Sequence, residues 1–231
     1  RLNEIMKTEY PGNDTEREAA YLADVMAAVT DADKTQPHGD DDALGQGLGV
    51  GYVRFVYDML AAEYPDRNIR ITNSGVGGNT STQLWKRWNK DVLDLNPDWV
   101  CIFIGINDVM NKFLFPERDE LQVSSEEYAD NLEKMIMSLE NKVKGIFIIS
   151  PYTAEIYPND RLREQMDIYR KIAKKTAEKF LCKYIDIQEM FDEYFKHKHQ
   201  ATIAWDRVHP NRTGAYMIAK AFLKKCDFNF E

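Results

Sequence analysis

Cysteine is scarce in this sequence, and its placement excludes two kinds of stabilised fold. The 231 residues contain three cysteines, and no two of them form a CxxC pair. Disulfide frameworks need paired cysteines and structural zinc sites need clustered ligands, so we expect neither. A reduced, cytoplasmic protein is the favoured interpretation. A removed signal peptide is the alternative, because the chain does not begin with Met.

Long apolar runs and an excess of positive charge are also lacking. The longest apolar segments, WVCIFIGI and GIFII, are far shorter than the roughly 20 residues that span a membrane. Lys and Arg number 30 against 38 Asp and Glu, which gives a formal net charge of -8. Nucleic-acid binding needs a basic face that displaces phosphate counterions. We therefore expect neither a membrane nor a nucleic acid as partner, and the sequence leaves the oligomeric state open.

The chain has no low-complexity linker and no internal repeat, which favours a single domain. Its 44% hydrophobic content suffices for one sizeable α/β core. Within that domain we separate residues 30–231 from an N-terminal segment, residues 1–29, of uncertain structure. Residues 14–29 carry a capping box of Thr15 and Glu18 and several helix formers. Local chemistry therefore predicts a helix, and a first strand within 15–29 is the alternative.

Helical and strand patterns alternate from about residue 50 onward. Continuous apolar strands separated by helices indicate an α/β fold with a parallel sheet covered on both faces. In such sheets ligands bind beyond the carboxyl ends of the strands. The predicted helices cover 52–64, 80–95, 124–143, 160–180 and 211–225, and the predicted strands cover 69–75, 98–108, 145–152 and 182–188.

Two short motifs fall at these predicted strand ends. In NSGVGGNTS (73–81) the glycines let backbone N–H groups approach a ligand, and the following helix adds positive potential. The motif lacks the spacing of a phosphate-binding loop, so a tight structural turn is an equal alternative. In GIND (105–108) the side-chain amide of Asn107 can donate a hydrogen bond to an oxyanion, with a turn or cap residue as the alternative.

A third motif, DRVHP, places Asp206 three residues before His209. In this arrangement a carboxylate can fix the tautomer of an imidazole that acts as a general base. Taken alone, such a pair is more often structural than catalytic. Other residues of the types that bind metals lie in polar stretches, which we interpret as solvated segments rather than metal sites. These residues are His38, Asp40, Asp41, Asp42, His197 and His199.

In order and spacing these motifs resemble the SGNH hydrolases, also called the GDSL esterase/lipase family. The resemblance runs from about Thr30 to the C-terminus and includes VTDADKTQPHG, LGVGYV, NSGVGGNTS, GIND and DRVHPNRTG. It implies a flavodoxin-like three-layer α/β/α sandwich with a central parallel sheet. It also implies hydrolysis of small acyl esters, with acetyl esters of carbohydrates as the narrower expectation. No metal and no organic cofactor is implied.

The resemblance further implies a role for each motif. The Gly78 backbone N–H and the Asn107 side-chain amide would form the oxyanion hole. His209 would be the general base, and Asp206 would orient it. A serine would attack the ester, and water would then hydrolyse the acyl-enzyme.

The first block of the family, Gly-Asp-Ser, is not matched in this chain. VTDADK fits the continuation of that block, but Met26, Ala27 and Ala28 precede it. Ala28 therefore occupies the nucleophile position, and a methyl group cannot attack a carbonyl. A natural loss, an altered chain and an incorrectly recorded sequence all stay open as explanations. We expect no other hydroxyl to replace the serine; those considered are Thr30, Ser74, Ser81 and Ser150.

Two other functions stay open beside a GDSL-type esterase. One is a catalytically inactive binding protein on the same fold. The other is a flavodoxin-like nucleotide-binding domain that uses the glycines of residues 75–79, although it leaves DRVHP unexplained. Trp85, Trp88 and Trp205 are candidates for an aromatic wall against a sugar. The helical spacing of Trp85 and Trp88 nevertheless favours core packing.

Overall fold

The protein is built on a parallel β-sheet. We describe it from a computed structural model, which covers the backbone of residues 22–26 and residues 48, 51–67, 69–228 and 230. In this part of the chain five strands form one sheet, with the order β2-β1-β3-β4-β5. This is the flavodoxin-like order. The strands are β1 (Leu22–Met26), β2 (Ile69–Asn73), β3 (Trp99–Ile102), β4 (Gly145–Ile149) and β5 (Lys183–Ile185).

Helices cover both faces of this sheet. On one side α1 packs against α7, which also contacts α6; on the other α4 packs against α2 and α5, and α5 against α3. The predicted three-layer α/β/α class is therefore confirmed. The helices are α1 (Tyr52–Glu63), α2 (Ser81–Asp91), α3 (Ile106–Leu114), α4 (Ser125–Ser138), α5 (Arg161–Lys179), α6 (Ile187–Phe195) and α7 (Arg212–Lys225). No helix in the described ranges is both long enough and apolar enough to cross a bilayer.

The predicted N-terminal helix is wrong where the structure can test it, because Leu22–Met26 is a strand. β1 pairs in parallel with β2 on one side and with β3 on the other, so it lies inside the sheet. Helix propensities differ by only a few tenths of a kcal/mol per residue. Main-chain pairing on both edges of β1 outweighs that preference. Thr15 and Glu18, the proposed capping box, lie outside the described residues.

Local capping explains where several helices begin. Thr80 caps α2 through a full capping box with Gln83. The Ser124 hydroxyl accepts the backbone N–H of Glu127 at 3.0 Å at the start of α4. The helices α3 and α6, each nine residues long, were not predicted. Both follow a strand so closely that the apolar strand pattern runs into them.

Candidate active site

Asp206 and His209 lie together in the loop that precedes α7. Asp206 Oδ2 is 2.6 Å from His209 Nδ1. The other oxygen, Oδ1, accepts the backbone N–H groups of Val208 at 3.0 Å and His209 at 2.9 Å. One carboxylate thus shapes the loop with one oxygen and holds the imidazole with the other.

Electrostatics keep this carboxylate ionised. Burial raises the pKa of Asp206, whereas the hydrogen bonds from the His209 side chain and from the two backbone N–H groups lower it. The lowering is the larger effect, so the net pKa lies below its ordinary value. An ionised Asp206 favours a proton on Nδ1 of His209. The ring then presents Nε2 on its opposite side, as a general base requires.

The segment after β4 fixes the backbone of this loop. The buried Tyr152 hydroxyl donates to the Val208 carbonyl at 2.6 Å. The Arg207 carbonyl accepts the Ala154 N–H at 2.8 Å and the Thr153 hydroxyl at 3.1 Å. These hydrogen bonds join the segment after β4 to the two residues between Asp206 and His209.

Arg207 reinforces the same junction with its side chain. Its φ of 74° lies in the left-handed region, which is unfavourable for a residue with a Cβ. The guanidinium pairs with Asp160 at 2.5 Å and with the buried Glu155 at 3.1 Å. The surrounding contacts therefore hold a strained backbone in place between the two site residues.

The glycine turn and Asn107 also lie against each other. Gly78 is exposed, with a φ of 79°, so the turn uses a conformation that glycine adopts readily. Asn107, in the first turn of α3, donates from Nδ2 to the Asn79 carbonyl at 3.2 Å. An amide nitrogen carries two hydrogens, so this bond leaves the second one for an oxyanion.

Sequence reasoning missed the side chains that brace this turn. Arg87 of α2 donates to the Ser74 carbonyl at 2.6 Å and to Asn79 Oδ1 at 2.9 Å. Asp108, next to Asn107, accepts hydrogen bonds from Ser81. The sequence offered a signal for Asp108 alone, since it belongs to GIND, whereas the spacing of Arg87 from the turn predicts nothing.

The serines considered as substitute nucleophiles are engaged elsewhere. The Ser74 hydroxyl donates to the Asp91 carbonyl at 2.8 Å. The Ser81 hydroxyl donates to Asp108. The Ser150 hydroxyl is buried and accepts the backbone N–H of Ile187 at 2.8 Å. These bonds support the expectation that none of the three acts as nucleophile, while Ala28 and Thr30 lie outside the described residues.

The three tryptophans do not form one wall. Trp88 is fully buried, and its indole N–H donates to the Ser138 hydroxyl at 2.8 Å. Trp85 is half-buried against the core. The core interpretation is confirmed for Trp88. Trp205 is 84% exposed directly beside Asp206, so it alone of the three offers an aromatic face to a ligand.

The candidate metal ligands give no metal site in the described part of the chain. No group of three His, Cys, Asp or Glu side chains there is placed to hold an ion. His197 and His199 follow α6 and are exposed, and His199 Nδ1 accepts the Ala201 N–H at 3.1 Å. His38 and the acidic residues 40–42 lie outside the described ranges.

Comparison with known families decides where this site belongs. The GDSL-like lipase/acylhydrolase family model matches residues 35–216. The chain belongs to this family. The matched range includes the glycine turn, GIND and DRVHP, and it begins after position 28. The resemblance to SGNH hydrolases and the GDSL-type esterase assignment are confirmed, and a nucleotide-binding domain is not favoured.

Individual relatives agree with the family. An acetylxylan esterase from Geobacillus stearothermophilus is 38% identical over 203 residues, which cover 88% of this chain and 92% of that protein. Its crystal structure superposes with a TM-score of 0.80 at 36% identity, over 90% of this chain and 93% of that one. Variants of it described as catalytic mutants replace a serine, a histidine or an aspartate with alanine.

A second solved structure is equally similar. It is an α/β hydrolase enzyme from the metagenome of Lake Arreo, Spain, with a TM-score of 0.78 at 36% identity. The match covers 90% of this chain and 93% of that one.

Proposed function

We propose that this protein carries the active site of a GDSL-type carbohydrate acetyl esterase, and that this site is complete except for its nucleophile. The observation that carries the proposal is the contact between His209 Nδ1 and Asp206 Oδ2 at 2.6 Å, on a loop that the segment after β4 holds by hydrogen bonds. The similarity to an acetylxylan esterase over most of both chains supports the acetyl ester of a sugar as substrate.

The arrangement suits acyl transfer to a serine followed by hydrolysis. His209 takes the proton of the attacking hydroxyl, while Asp206 stabilises the resulting imidazolium. The carbonyl oxygen of the ester becomes an oxyanion, which the Gly78 N–H and the Asn107 amide stabilise. His209 returns the proton to the leaving sugar hydroxyl, and water repeats the sequence on the acyl-enzyme to release acetate.

Position 28 is the nucleophile position in this proposal. β1 ends at Met26, which pairs with Asn73 at the end of β2. β1 also lies between β2 and β3, whose ends lead into the glycine turn and into GIND. Ala28 comes two residues after Met26 in the sequence. The chain as printed is therefore expected to bind acyl esters without turning them over.

Trp205 supports a carbohydrate as the alcohol part of the ester. Its ring is 84% exposed next to Asp206. An aromatic ring carries a large apolar face and costs little conformational entropy to present. A sugar ring has an apolar face of C–H groups that suits this surface.

We also propose that the chain folds as one domain without a cofactor. β1 lies within residues 1–29 and is hydrogen-bonded on both sides to strands from residues 30–231, which supports a single unit. The absence of a nucleic-acid partner stays a prediction from the charge.

Acetate release from acetylated xylo-oligosaccharides tests the proposal. The serine variant (Met26→Gly, Ala27→Asp, Ala28→Ser) should release acetate, and the chain as printed should not. His209→Ala in the serine variant is the matched control and should lose at least about a thousandfold in kcat. A folded serine variant that is inert, or a printed chain that is equally active, would contradict the proposal.

A further inference from the structure

Asp108 connects the two halves of the proposed oxyanion hole. It lies in the first turn of α3, directly after Asn107, and is completely buried. Its two carboxylate oxygens lie 2.9 and 3.1 Å from the Ser81 backbone nitrogen, and the Ser81 hydroxyl also donates to it. Ser81 begins α2, right after the glycine turn. The carboxylate therefore joins the helix that carries Asn107 to the helix that follows Gly78.

Neighbouring side chains complete this connection. Asn131 of α4 donates from Nδ2 to the Ser81 hydroxyl at 3.1 Å and to the Thr82 hydroxyl at 2.9 Å. The Thr82 hydroxyl in turn donates to Glu127 at 2.6 Å. Three helices thus meet at Ser81 through polar groups that are mostly buried. A buried network of this kind fixes one geometry when each of its polar groups has a hydrogen-bond partner.

The position is costly for a carboxylate. Burial raises the pKa of Asp108 to about 6, although the hydrogen bonds from Ser81 act in the opposite direction. Glu127 of α4 raises that pKa further, while Lys112 of α3 interacts favourably with the charge. The charge of Asp108 in turn raises the pKa of the Tyr128 and Tyr169 phenols. A merely structural link at this buried position would be cheaper with a neutral side chain.

Adjacent residues of α3 therefore reach adjacent parts of the same turn. Asn107 bonds the Asn79 carbonyl at 3.2 Å, and Asp108 bonds the backbone N–H of Ser81 two residues later. An oxyanion hole works only when its donors stand about 2.7–3.1 Å from the developing charge. The bond from Asp108 to Ser81 uses neither hydrogen of the Asn107 amide, so it can hold the spacing while the second of those hydrogens binds the oxyanion.

We propose that Asp108 is a positioning residue, whose buried carboxylate sets the distance between the Asn107 amide and the Gly78 N–H. The inference rests on the proposed esterase function. Asp108 does not touch the substrate; it acts through Ser81 and through the start of α3.

Kinetics of Asp108→Asn in the serine variant give the first test. Asparagine keeps the shape but presents one acceptor and one donor where the carboxylate presents two acceptors. We expect kcat to fall about 10- to 100-fold with KM changed less than about twofold, since the lost stabilisation is specific to the transition state. The control is Asp58→Asn, the same change at a surface ion pair with Arg54, which should leave both constants unchanged.

The pH profile separates positioning from structure. The serine variant should lose more of its kcat than Asp108→Asn does as the pH falls through 6, because only the carboxylate, and not the amide, gains a proton in that range. A merely structural role would leave the ratio of the two kcat values the same at every pH, and a constant ratio would overturn the proposal.

Hydrogen exchange supplies a readout that needs no activity. In the chain as printed, Asp108→Asn should speed exchange of the backbone amides of residues 75–81 by at least about tenfold, because their opening free energy falls. Asp58→Asn should not. Unchanged exchange in Asp108→Asn overturns the proposal. Faster exchange together with an unchanged kcat of Asp108→Asn in the serine variant also overturns it.

An inert serine variant would contradict the proposed function alone. The exchange result would then still decide whether Asp108 fixes the turn.

A milder substitution covers the case in which Asp108→Asn does not fold. Ser81→Ala removes the hydroxyl but keeps the backbone N–H that Asp108 accepts. We expect a smaller loss of kcat, about three- to tenfold, again with little change in KM. A kcat equal to that of the serine variant would overturn the proposal.

Discussion

Asp206 shows how much of the site depends on single atoms. Its Oδ1 accepts two backbone N–H groups and sets the loop, whereas Oδ2 lies 2.6 Å from the His209 ring. Loop shape and imidazole orientation are therefore separable by a substitution that keeps one oxygen.

Asp206→Asn in the serine variant makes that separation. The amide oxygen can still accept the backbone N–H groups, but the amide nitrogen is a donor and cannot accept the hydrogen bond from Nδ1–H of His209. The ring then takes the wrong tautomer, and we expect kcat to fall about 10³- to 10⁴-fold with the protein still folded. Steady-state hydrolysis of p-nitrophenyl acetate and a thermal melt measure both effects. A loss below about tenfold would show that Asp206 does not control His209.

Asp108 predicts a pH dependence of stability that is independent of catalysis. Burial raises its pKa in the folded chain to about 6 from the ordinary value of 3.8. The folded state therefore binds the Asp108 proton more tightly than the unfolded state does. This protonation stabilises the fold fully below about pH 4, and the stabilisation is lost as the pH rises through 6. Asp108→Asn should lack this loss.

Urea unfolding of the printed chain and of Asp108→Asn at pH 4.5 and pH 7.5 measures this pH dependence of stability. The free energy of unfolding of Asp108→Asn minus that of the printed chain should be larger at pH 7.5 than at pH 4.5. Asp58→Asn is the control. A difference between the two proteins that does not vary with pH would contradict the raised pKa.

Among the elements, the segment that follows β4 supports the catalytic loop through Tyr152. Its buried hydroxyl donates to the Val208 carbonyl at 2.6 Å across 56 positions of sequence. Tyr152→Phe removes this donor from a buried carbonyl, which costs about 1–2 kcal/mol of stability. In the serine variant it should also lower kcat severalfold, because the loop that holds His209 loosens.

Tyr184→Phe is the control for this prediction. The Tyr184 hydroxyl donates to the Arg170 carbonyl at 3.4 Å, a contact that does not involve the loop. Thermal melts measure the loss of stability of each variant, and kcat should fall for Tyr152→Phe alone. The same kcat in the two variants would show that the loop does not depend on the segment after β4.

The elements also show where sequence reasoning works. Helices with marked caps, such as α4 after Ser124, were predicted within a few residues, because the signals are local. The start of α3 was hidden, since Gly105 turns the chain with a φ of 120° inside an apolar run. For β1 the sequence favoured a helix and left a strand as the alternative, because the strand character comes from pairing with β2 and β3 rather than from its own residues.

At the scale of the whole molecule, the strand order explains why distant motifs meet. β1, β2 and β3 are neighbours, so the chain segments that follow them emerge side by side. The motifs themselves could be found from their residues and order. Their braces could not, because contacts such as Ser81 to Asp108 and Tyr152 to Val208 join residues 27 and 56 positions apart with no local pattern.

Covalent labelling of the serine variant by a fluorophosphonate, read by intact and peptide mass spectrometry, tests the central claim most directly. The account predicts one adduct, at the serine introduced at position 28. It predicts no adduct on the chain as printed, and much slower labelling when His209→Ala is added. An adduct at Ser74, Ser81 or Ser150, or labelling of the printed chain, would show that the nucleophile position has been assigned incorrectly.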